Sequence, residues 1–416
     1  MIKKINKLNA EVEIPGSKSY TNRALLVSAL ANGKSIIRNP LISDDTKYMI
    51  SALREFGIKI IRKINYFEVY GTSGKIKTPK KGIFVRNTGT AMRFLTGFAS
   101  LAKGRVILTG DKSMQKRPIQ DLLSGLKKLG VNTRSKNKCP PVTINGGNFI
   151  GGKTNLQGAK SSQYLSSILM AAPYAKNNVE VDVVNLTSKP YIDVTLDVMK
   201  EFGVKVINKN YRKFIVKINQ KYKAKKYAVE GDASSASYFF GAAAITKGKV
   251  KVKNINPKSV QGDVHFADVL EKMGCKVKKG KNFIELKGGN LRGVGVDMNN
   301  MPDTVQTLGV VACFAKGNTI ITNIGNLRKK ETDRIKALAT ELRKIGAKVR
   351  ELKGGLLIKP NKLHGAEIKT YNDHRMAMSF AIAGLRINDI KIQNPDCVAK
   401  SFPNFWEKFE ELYKWI

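Results

Sequence analysis

Arginine side chains beside predicted helix starts are the first candidates for chemistry in this sequence. Arg117, Arg334 and Arg375 are widely separated, and the last two stand next to acidic residues of the kind that cap helices. A guanidinium group can form two parallel hydrogen bonds with one carboxylate or phosphate group. Brought together by the fold, these three side chains would bind a small molecule that carries several negative charges.

Other polar residues near helix starts could complete such a site. Ser19 and Arg23 lie four residues apart, so both side chains can face one ligand from a single helix. Asp303 follows Pro302 and is predicted to cap a helix, while Glu331 stands between Lys330 and Arg334. Helix capping and surface ion pairing are the ordinary structural roles of such carboxylates, so residue type alone leaves their function open.

A repeat along the whole chain indicates how these residues are positioned. Five predicted helices end in Leu or Met, followed by a few residues and then glycine, and these glycines are 71 to 73 residues apart. Glycine is favoured directly after a helix because it adopts the left-handed conformation without steric cost. The glycines are Gly57, Gly130, Gly203, Gly274 and Gly346.

Each repeat also begins alike, with a polar cluster that precedes a helix rich in Ala, Leu and Phe. The pattern predicts an α/β protein of two domains, each built from three repeats of helix, strand, helix and hairpin around inward-pointing helices. We expect one domain at 15–230 and the other at 1–14 plus 231–416, with the strand in 1–14 completing the last repeat, which lacks closing strands. The two crossings predict a hinge, and inward helix N-termini would favour phosphorylated ligands in a cleft.

Nine segments, in order along the chain, resemble the signature motifs of one family. They are PGSKSYTNR (15–23), NTGTAMR (87–93), GDKSMQKRP (110–118), SSQY (161–164), SKPYID (188–193), EGDASSA (230–236), NLRKKETDR (326–334), NDHRMAM (372–378) and AKSFP (399–403). Together they resemble the 5-enolpyruvylshikimate-3-phosphate synthases, a branch of the enolpyruvyl transferase family. The resemblance covers essentially the entire chain and implies that family's two-domain fold.

The resemblance also implies an activity and a set of site residues. It implies transfer of the enolpyruvyl group of phosphoenolpyruvate to the 5-hydroxyl of shikimate 3-phosphate, with release of phosphate, in the shikimate pathway of aromatic amino acid biosynthesis. The residues matching the shikimate 3-phosphate contacts are Lys18, Ser19, Arg23, Ser161, Ser162, Gln163, Ser188, Tyr191, Asp303, Asn326 and Lys330. Those matching the phosphoenolpyruvate contacts are Lys18, Asn87, Gly89, Thr90, Arg117, Gln163, Glu331, Arg334, His374, Arg375 and Lys400.

Three of these residues would carry the proton transfers. By resemblance Asp303 accepts the proton of the 5-hydroxyl and Glu331 delivers a proton to the methylene carbon, while Lys18 could serve either step. Which group moves which proton stays open at this stage. No metal and no organic cofactor is implied, since the reaction is acid/base chemistry on an already activated enol phosphate.

Composition sets limits on the other classes of protein. The 416 residues include 74 basic and 32 acidic ones, a net charge of +42, but the lysines are spread along the chain and form no patch or stripe. The four cysteines are far apart, which fits neither a zinc site nor a disulfide framework. No apolar run is long enough to span a membrane. We expect a cytoplasmic monomer that binds small molecules but neither nucleic acid nor membrane.

This interpretation has three alternatives. The UDP-N-acetylglucosamine enolpyruvyl transferases share the fold, but many carry a reactive cysteine in the loop that matches 111–118, where this chain has none. An RNA-binding or RNA-end-processing protein of related fold would explain the charge, but the aromatic platforms typical of single-strand binding are not visible. A catalytically inactive scaffold is the third alternative, although every expected charged site residue is present.

Overall fold

The repeat is built from a first helix that is buried and a second helix with one solvent-exposed face. The structure is a computed structural model that describes residues 2–414; Met1, Trp415 and Ile416 lie outside the described residues. Every residue of Ala233–Thr246, the first helix of one repeat, is buried, because small and apolar residues occupy all sides of it. In Arg334–Lys344, the second helix of another repeat, lysines and arginines line an exposed face.

The chain divides into two compact units, Gly16–Val229 and Met1–Pro15 with Glu230–Ile416. We call them the contiguous and the discontinuous unit. Strand β1 (Asn9–Glu13) belongs to the discontinuous unit. The helices of the contiguous unit are α1 (Lys18–Leu30), α2 (Asp44–Glu55), α3 (Gly89–Ala99), α4 (Gln120–Lys128), α5 (Gln163–Ala171) and α6 (Pro190–Glu201). Its strands are β2 (Asn32–Arg38), β3 (Lys59–Arg62), β4 (Tyr66–Thr72), β5 (Ile83–Phe84), β6 (Arg105–Thr109), β7 (Asn132–Ser135), β8 (Val142–Asn145), β9 (Gly152–Gln157), β10 (Val179–Val184), β11 (Val206–Lys209), β12 (Lys213–Val216) and β13 (Lys226–Ala228).

The discontinuous unit repeats the same order of elements. Its helices are α7 (Ala233–Thr246), α8 (Phe266–Lys272), α9 (Val305–Ala312), α10 (Arg334–Lys344), α11 (His374–Ala383) and α12 (Phe405–Glu410). Its further strands are β14 (Lys249–Lys253), β15 (Lys276–Gly280), β16 (Phe283–Lys287), β17 (Gly295–Asp297), β18 (Thr319–Thr322), β19 (Lys348–Leu352), β20 (Gly355–Lys359), β21 (Glu367–Ile368) and β22 (Lys391–Ile392). The buried helices α7, α9 and α11 pack against one another, and in the contiguous unit α3 packs against α1 and α5.

Each complete repeat adds a four-stranded sheet in which a hairpin pairs antiparallel with the strand after the buried helix. The sheet orders are β13-β2-β4-β3, β5-β6-β8-β7, β9-β10-β12-β11, β1-β14-β16-β15 and β17-β18-β20-β19. The five glycines at the ends of α2, α4, α6, α8 and α10 have φ between 84° and 109°, as their place after a helix predicts. The predicted α/β fold of repeated units around buried helices is confirmed.

The partner of the N-terminal strand differs from the prediction. We expected residues 1–14 to complete the last repeat, but β1 pairs in parallel with β14, from Asn9 opposite Lys249 to Glu13 opposite Lys253. In return β13, which directly precedes α7, pairs with β2 of the contiguous unit. Each four-stranded sheet has a parallel edge strand, and β1 and β13 have exchanged partners: each pairs with the strand that follows the other one's helix rather than with the strand that follows its own. The last repeat keeps β21 and β22, which pair in parallel, and Phe405 of α12 packs against Tyr238 and Phe239 of α7.

No helix within residues 2–414 is long and apolar enough to cross a membrane.

Candidate functional site

In the contiguous unit, the first turn of α1 carries two of the predicted ligand-binding residues. Ser17 caps the helix by accepting a hydrogen bond from the backbone N–H of Tyr20. Lys18 follows, and its Nζ lies 3.4 Å from Oδ2 of Asp45, which is buried at the start of α2. The carboxylate therefore holds the Lys18 ammonium group beside the first turn of α1.

Arg23 is buried and ties α1 to α6. Its Nε donates to Oγ1 of Thr195 at 2.8 Å, and its two terminal nitrogens donate at 2.9 Å to the backbone oxygens of Ser19 and Tyr191. The guanidinium also lies over the ring of Phe94, with its carbon 5.0 Å from the ring centroid. Burial lowers the pKa of Arg23 to about 10. Arg23 thus fixes the positions of Ser19 and Tyr191, two other predicted contacts.

The start of α3 brings another predicted group together. Arg117 donates from Nη1 to the backbone oxygen of Asn87 at 3.3 Å, and Gln163 donates from Nε2 to Oγ1 of Thr90 at 3.1 Å. Gly89 lies between them, and a Cβ atom placed on it would come within 2.8 Å of both terminal nitrogens of Arg117. The missing side chain at position 89 therefore leaves room for the Arg117 guanidinium.

Serines at two other helix starts complete the predicted residues of this unit. Ser162 precedes the first residue of α5, and Oγ of Ser161 accepts from the backbone N–H of Gln163 at 3.2 Å. Ser188, two residues before the first residue of α6, has φ 56° and is buried. The left-handed conformation is uncommon for serine, so the surrounding structure must fix this turn.

In the discontinuous unit, a buried ion cluster surrounds Arg334. The guanidinium donates to both oxygens of Asp373, at 2.7 and 3.2 Å, to Oδ1 of Asp303 at 3.0 Å, and lies 3.0 Å from Oε2 of Glu331. Burial opposes its charge, but the carboxylates of Asp373, Glu331 and Asp303 outweigh burial and raise the pKa of Arg334. The cluster is held together by one cation with three anionic partners.

Asp303 is shared between two arginines. Its second oxygen accepts a hydrogen bond of 2.7 Å from Nη2 of Arg375, whose Nη1 donates to the hydroxyl of Tyr238 at 3.1 Å. The expectation that Asp303 caps a helix is wrong: it lies within the 3-10 helix Pro302–Thr304, and α9 begins afterwards at Val305. A capping side chain accepts a hydrogen bond from a backbone N–H group, whereas the Asp303 carboxylate accepts from two guanidinium groups.

The remaining predicted residues of this unit lie in three segments. His374 is the first residue of α11 and is buried, with Nδ1 3.6 Å from Oδ1 of Asp373. Lys400 ends the 3-10 helix Pro395–Lys400 and is also buried. Asn326 lies within the 3-10 helix Gly325–Lys329, and Lys330 follows it. Lys400 and Lys330 add positive charge to a unit whose central cluster is rich in carboxylates.

The structure adds three carboxylates that the sequence did not assign to the site. Asp45 forms an ion pair with Lys18. Asp373 accepts hydrogen bonds from the guanidinium of Arg334 and, at 3.0 Å, from the backbone N–H of Arg375. Burial, followed by the charge of Asp303, raises the pKa of Asp263 to about 7, and Ser234 donates to its Oδ2. Asp373 could have been found from its place in the segment 372–378, but nothing around Asp263 in the sequence marks it.

Within residues 2–414, no group of three His, Cys, Asp or Glu side chains is arranged to hold a metal ion.

Comparisons with known proteins agree over nearly the whole chain. The model of the family described as EPSP synthase (3-phosphoshikimate 1-carboxyvinyltransferase) matches residues 2–409. A 3-phosphoshikimate 1-carboxyvinyltransferase from Actinobacillus pleuropneumoniae serotype 5b is 46% identical over 98% of this chain and 97% of its own. A protein of the same name from Buchnera aphidicola subsp. Schizaphis graminum is 46% identical over 99% of this chain and 98% of its own. A solved EPSP synthase structure from Acinetobacter baumannii superposes with a TM-score of 0.83 at 28% identity, covering 99% of this chain and 97% of that one. The chain belongs to the EPSP synthase family.

Proposed function

We propose that this protein transfers the enolpyruvyl group of phosphoenolpyruvate to the 5-hydroxyl of shikimate 3-phosphate, acting as a 3-phosphoshikimate 1-carboxyvinyltransferase. The family match over residues 2–409 and the name of the relatives support this activity. The structural observation that carries the proposal is the Asp303 carboxylate, held by Arg334 at 3.0 Å and by Arg375 at 2.7 Å. A carboxylate in contact with two guanidinium groups supports a site that combines a proton acceptor with anion-binding groups.

The proposed chemistry is an addition followed by an elimination. The 5-hydroxyl oxygen forms a bond to C2 of phosphoenolpyruvate as its proton passes to Asp303, and C3 gains a proton from Glu331 or Lys18. The C2–O bond to phosphate then breaks, C3 loses a proton, and the enol double bond forms again. The products are 5-enolpyruvylshikimate 3-phosphate and inorganic phosphate.

The ion cluster suggests how Asp303 becomes available as a base. Arg334 and Arg375 both donate to Asp303, and each could instead donate to the carboxylate or phosphate of phosphoenolpyruvate. A bound anion would compete with Asp303 for these donors and release its oxygens toward a substrate hydroxyl. Asp373 would keep Arg334 oriented during this exchange, since it forms two hydrogen bonds with that side chain.

We propose the following ligand contacts on the same basis. For shikimate 3-phosphate they are Lys18, Ser19, Arg23, Ser161, Ser162, Gln163, Ser188, Tyr191, Asp303, Asn326 and Lys330. For phosphoenolpyruvate they are Lys18, Asn87, Gly89, Thr90, Arg117, Gln163, Glu331, Arg334, His374, Arg375 and Lys400. The three backbone and hydroxyl acceptors of Arg23 support a role in which this residue also orders Ser19 and Tyr191.

Phosphate release from the purified protein tests the proposed function. We expect release only when phosphoenolpyruvate and shikimate 3-phosphate are both present, with equal amounts of phosphate and enolpyruvyl product. Assays with each substrate alone and with UDP-N-acetylglucosamine as the acceptor are the controls. Release from phosphoenolpyruvate with UDP-N-acetylglucosamine but not with shikimate 3-phosphate would assign the chain to the UDP-N-acetylglucosamine enolpyruvyl transferases. No release with either acceptor would overturn the proposal.

We also propose that the enzyme works in the cytoplasm as a monomer without a nucleic-acid partner. The spread of lysines along the chain supports the absence of a nucleic-acid partner, because nucleic-acid sites gather basic residues into a patch or stripe. Sedimentation at working concentrations should give the mass of one chain. Salt-sensitive binding of RNA that shikimate 3-phosphate displaces would contradict the proposal.

Replacing Gly89 by alanine should weaken the binding of phosphoenolpyruvate. The added Cβ would lie 2.6 Å from Nη1 of Arg93 and 2.8 Å from both terminal nitrogens of Arg117, so both guanidinium groups would have to move. We expect the KM for phosphoenolpyruvate to rise roughly tenfold, because small misplacements of a binding group are costly, while the unfolding midpoint stays nearly unchanged. Gly295→Ala is the matched control, since no atom lies within 4 Å of its added Cβ. An unchanged KM in the Gly89 variant would contradict the role of Arg117.

A further inference from the structure

Glu341 is a buried residue of α10 whose carboxylate accepts hydrogen bonds from three donors. Its Oε1 accepts from the hydroxyl of Tyr371 at 2.8 Å. Its Oε2 accepts from the backbone N–H of Lys369 at 3.0 Å and from Nζ of Lys344 at 2.7 Å. The Lys344 side chain is 44% exposed, whereas that of Glu341 is 1% exposed. The buried charge is therefore directed at the segment 369–371, which belongs to the next repeat.

The segment that Glu341 holds leads directly to the ion cluster. Asp373 follows two residues after Tyr371, grips Arg334 through both oxygens, and accepts from the backbone N–H of Arg375. Arg334 and Glu341 are seven residues apart on α10, so they lie on the same face two turns from each other. Helix α10 is thus hydrogen-bonded to the segment 369–373 at two places, through Glu341 and through Arg334.

The backbone between these two attachments is strained. Tyr371 and Asn372 have φ of 54° and 55°, a region that residues other than glycine rarely occupy twice in succession. Nδ2 of Asn394 donates to Oδ1 of Asn372 at 3.1 Å and supports the second residue, while the Tyr371 hydroxyl bond to Glu341 supports the first. Strained turns persist where surrounding contacts determine them, and they are common beside functional groups.

We propose that Glu341 is a positioning residue for phosphoenolpyruvate recognition, acting through Tyr371 and Asp373 on Arg334 and Arg375. This inference rests on the proposed function. Glu341 touches no reacting atom. It fixes the turn that sets where Asp373 lies, and Asp373 in turn sets the direction of one guanidinium and the first turn of α11, which carries the other.

Removal of the Tyr371 hydroxyl is the cleanest test, since Glu341 keeps two donors in the Tyr371→Phe variant. We expect the KM for phosphoenolpyruvate to rise roughly tenfold, with kcat and the KM for shikimate 3-phosphate changing less than about twofold. Amide hydrogen exchange at residues 375–377 should become faster, because these three amides donate to the side chain or backbone oxygen of Asp373. Glu341→Gln, which removes the charge but keeps the shape of the side chain, should change the same quantities in the same direction.

Tyr413→Phe is the matched control. The Tyr413 hydroxyl also makes hydrogen bonds within this unit, accepting from the backbone N–H of Lys3 at 3.1 Å and donating to its oxygen at 3.0 Å. Its loss should lower stability similarly without a selective change in either KM. Unchanged KM values and unchanged exchange at 375–377 in Tyr371→Phe would overturn the inference while the activity of the unaltered enzyme stands. If the unaltered enzyme is inactive, the proposed function fails, and the exchange measurement alone then decides whether Glu341 holds this turn.

Discussion

Replacing Asp303 by alanine should reduce kcat by about a hundredfold or more. Asp303 is the proposed acceptor of the hydroxyl proton, and a positioned acid or base ordinarily contributes a factor of about 10² to 10⁴ to the rate. The loss should fall on kcat rather than on the KM for phosphoenolpyruvate, because Arg334 and Arg375 lose a competing partner and stay available to the substrate. Steady-state rates of phosphate release with both substrates varied will separate the two parameters.

Asp268→Ala is a suitable control for this experiment. Asp268 also contacts two basic side chains, Lys279 and His265, but it lies at the surface of α8. We expect its replacement to leave kcat within about twofold of the original value. If the Asp303 variant keeps its full rate, the enzyme activity stands but another group must accept the proton.

Replacing Arg334 by methionine should cause the largest loss of stability among single changes at the site. Its guanidinium is 2% exposed and contacts Asp303, Glu331 and Asp373, of which the last is 0% exposed. Removing one partner of a buried ion pair typically costs about 3–5 kcal/mol, since the other charge stays buried without compensation. For a domain of this size that cost corresponds to a decrease in Tm of roughly 6 to 20 °C. Thermal unfolding followed by circular dichroism measures it.

The matched substitution is Arg328→Met. Arg328 also pairs with two carboxylates, those of Asp333 and Glu351, but its side chain is 31% exposed. Exposed pairs contribute about 0–1 kcal/mol, so its loss should change Tm by only a few degrees. Equal decreases in the two variants would mean that burial does not determine the strength of the Arg334 cluster.

The elements set by local sequence were predictable. Glycines such as Gly203 mark helix ends because the conformation after a helix is a local requirement, and caps such as Asp232 mark helix starts for the same reason. Pairing between distant strands is not local. The choice of β14 rather than the last repeat as the partner of β1 depends on which sheet lacks a parallel edge, and the alternating pattern of 1–14 carries no information about that.

The candidate site was predictable for a different reason. Residues such as Arg334 and Arg375 stand in segments that resemble family motifs, so the resemblance assigns them without any account of their partners. Buried carboxylates outside such motifs were missed, because an acidic residue is ordinarily solvent-exposed. Glu341 lies two residues before Arg343 and three before Lys344, yet the fold buries it against Tyr371. Only the tertiary structure distinguishes a buried carboxylate such as Glu341 from a solvent-exposed one.

The exchange of β1 and β13 has a consequence for how the protein folds during synthesis. The contiguous unit ends at Val229 and contains its own edge strand, so it can fold as soon as that residue leaves the ribosome. Strand β1 must wait for β14: Glu13 pairs with Lys253, which is made 240 residues later, or roughly 10 to 50 seconds at ordinary rates of translation. An early strand therefore spends that interval unpaired on the ribosome, while the residues that follow it are already able to fold.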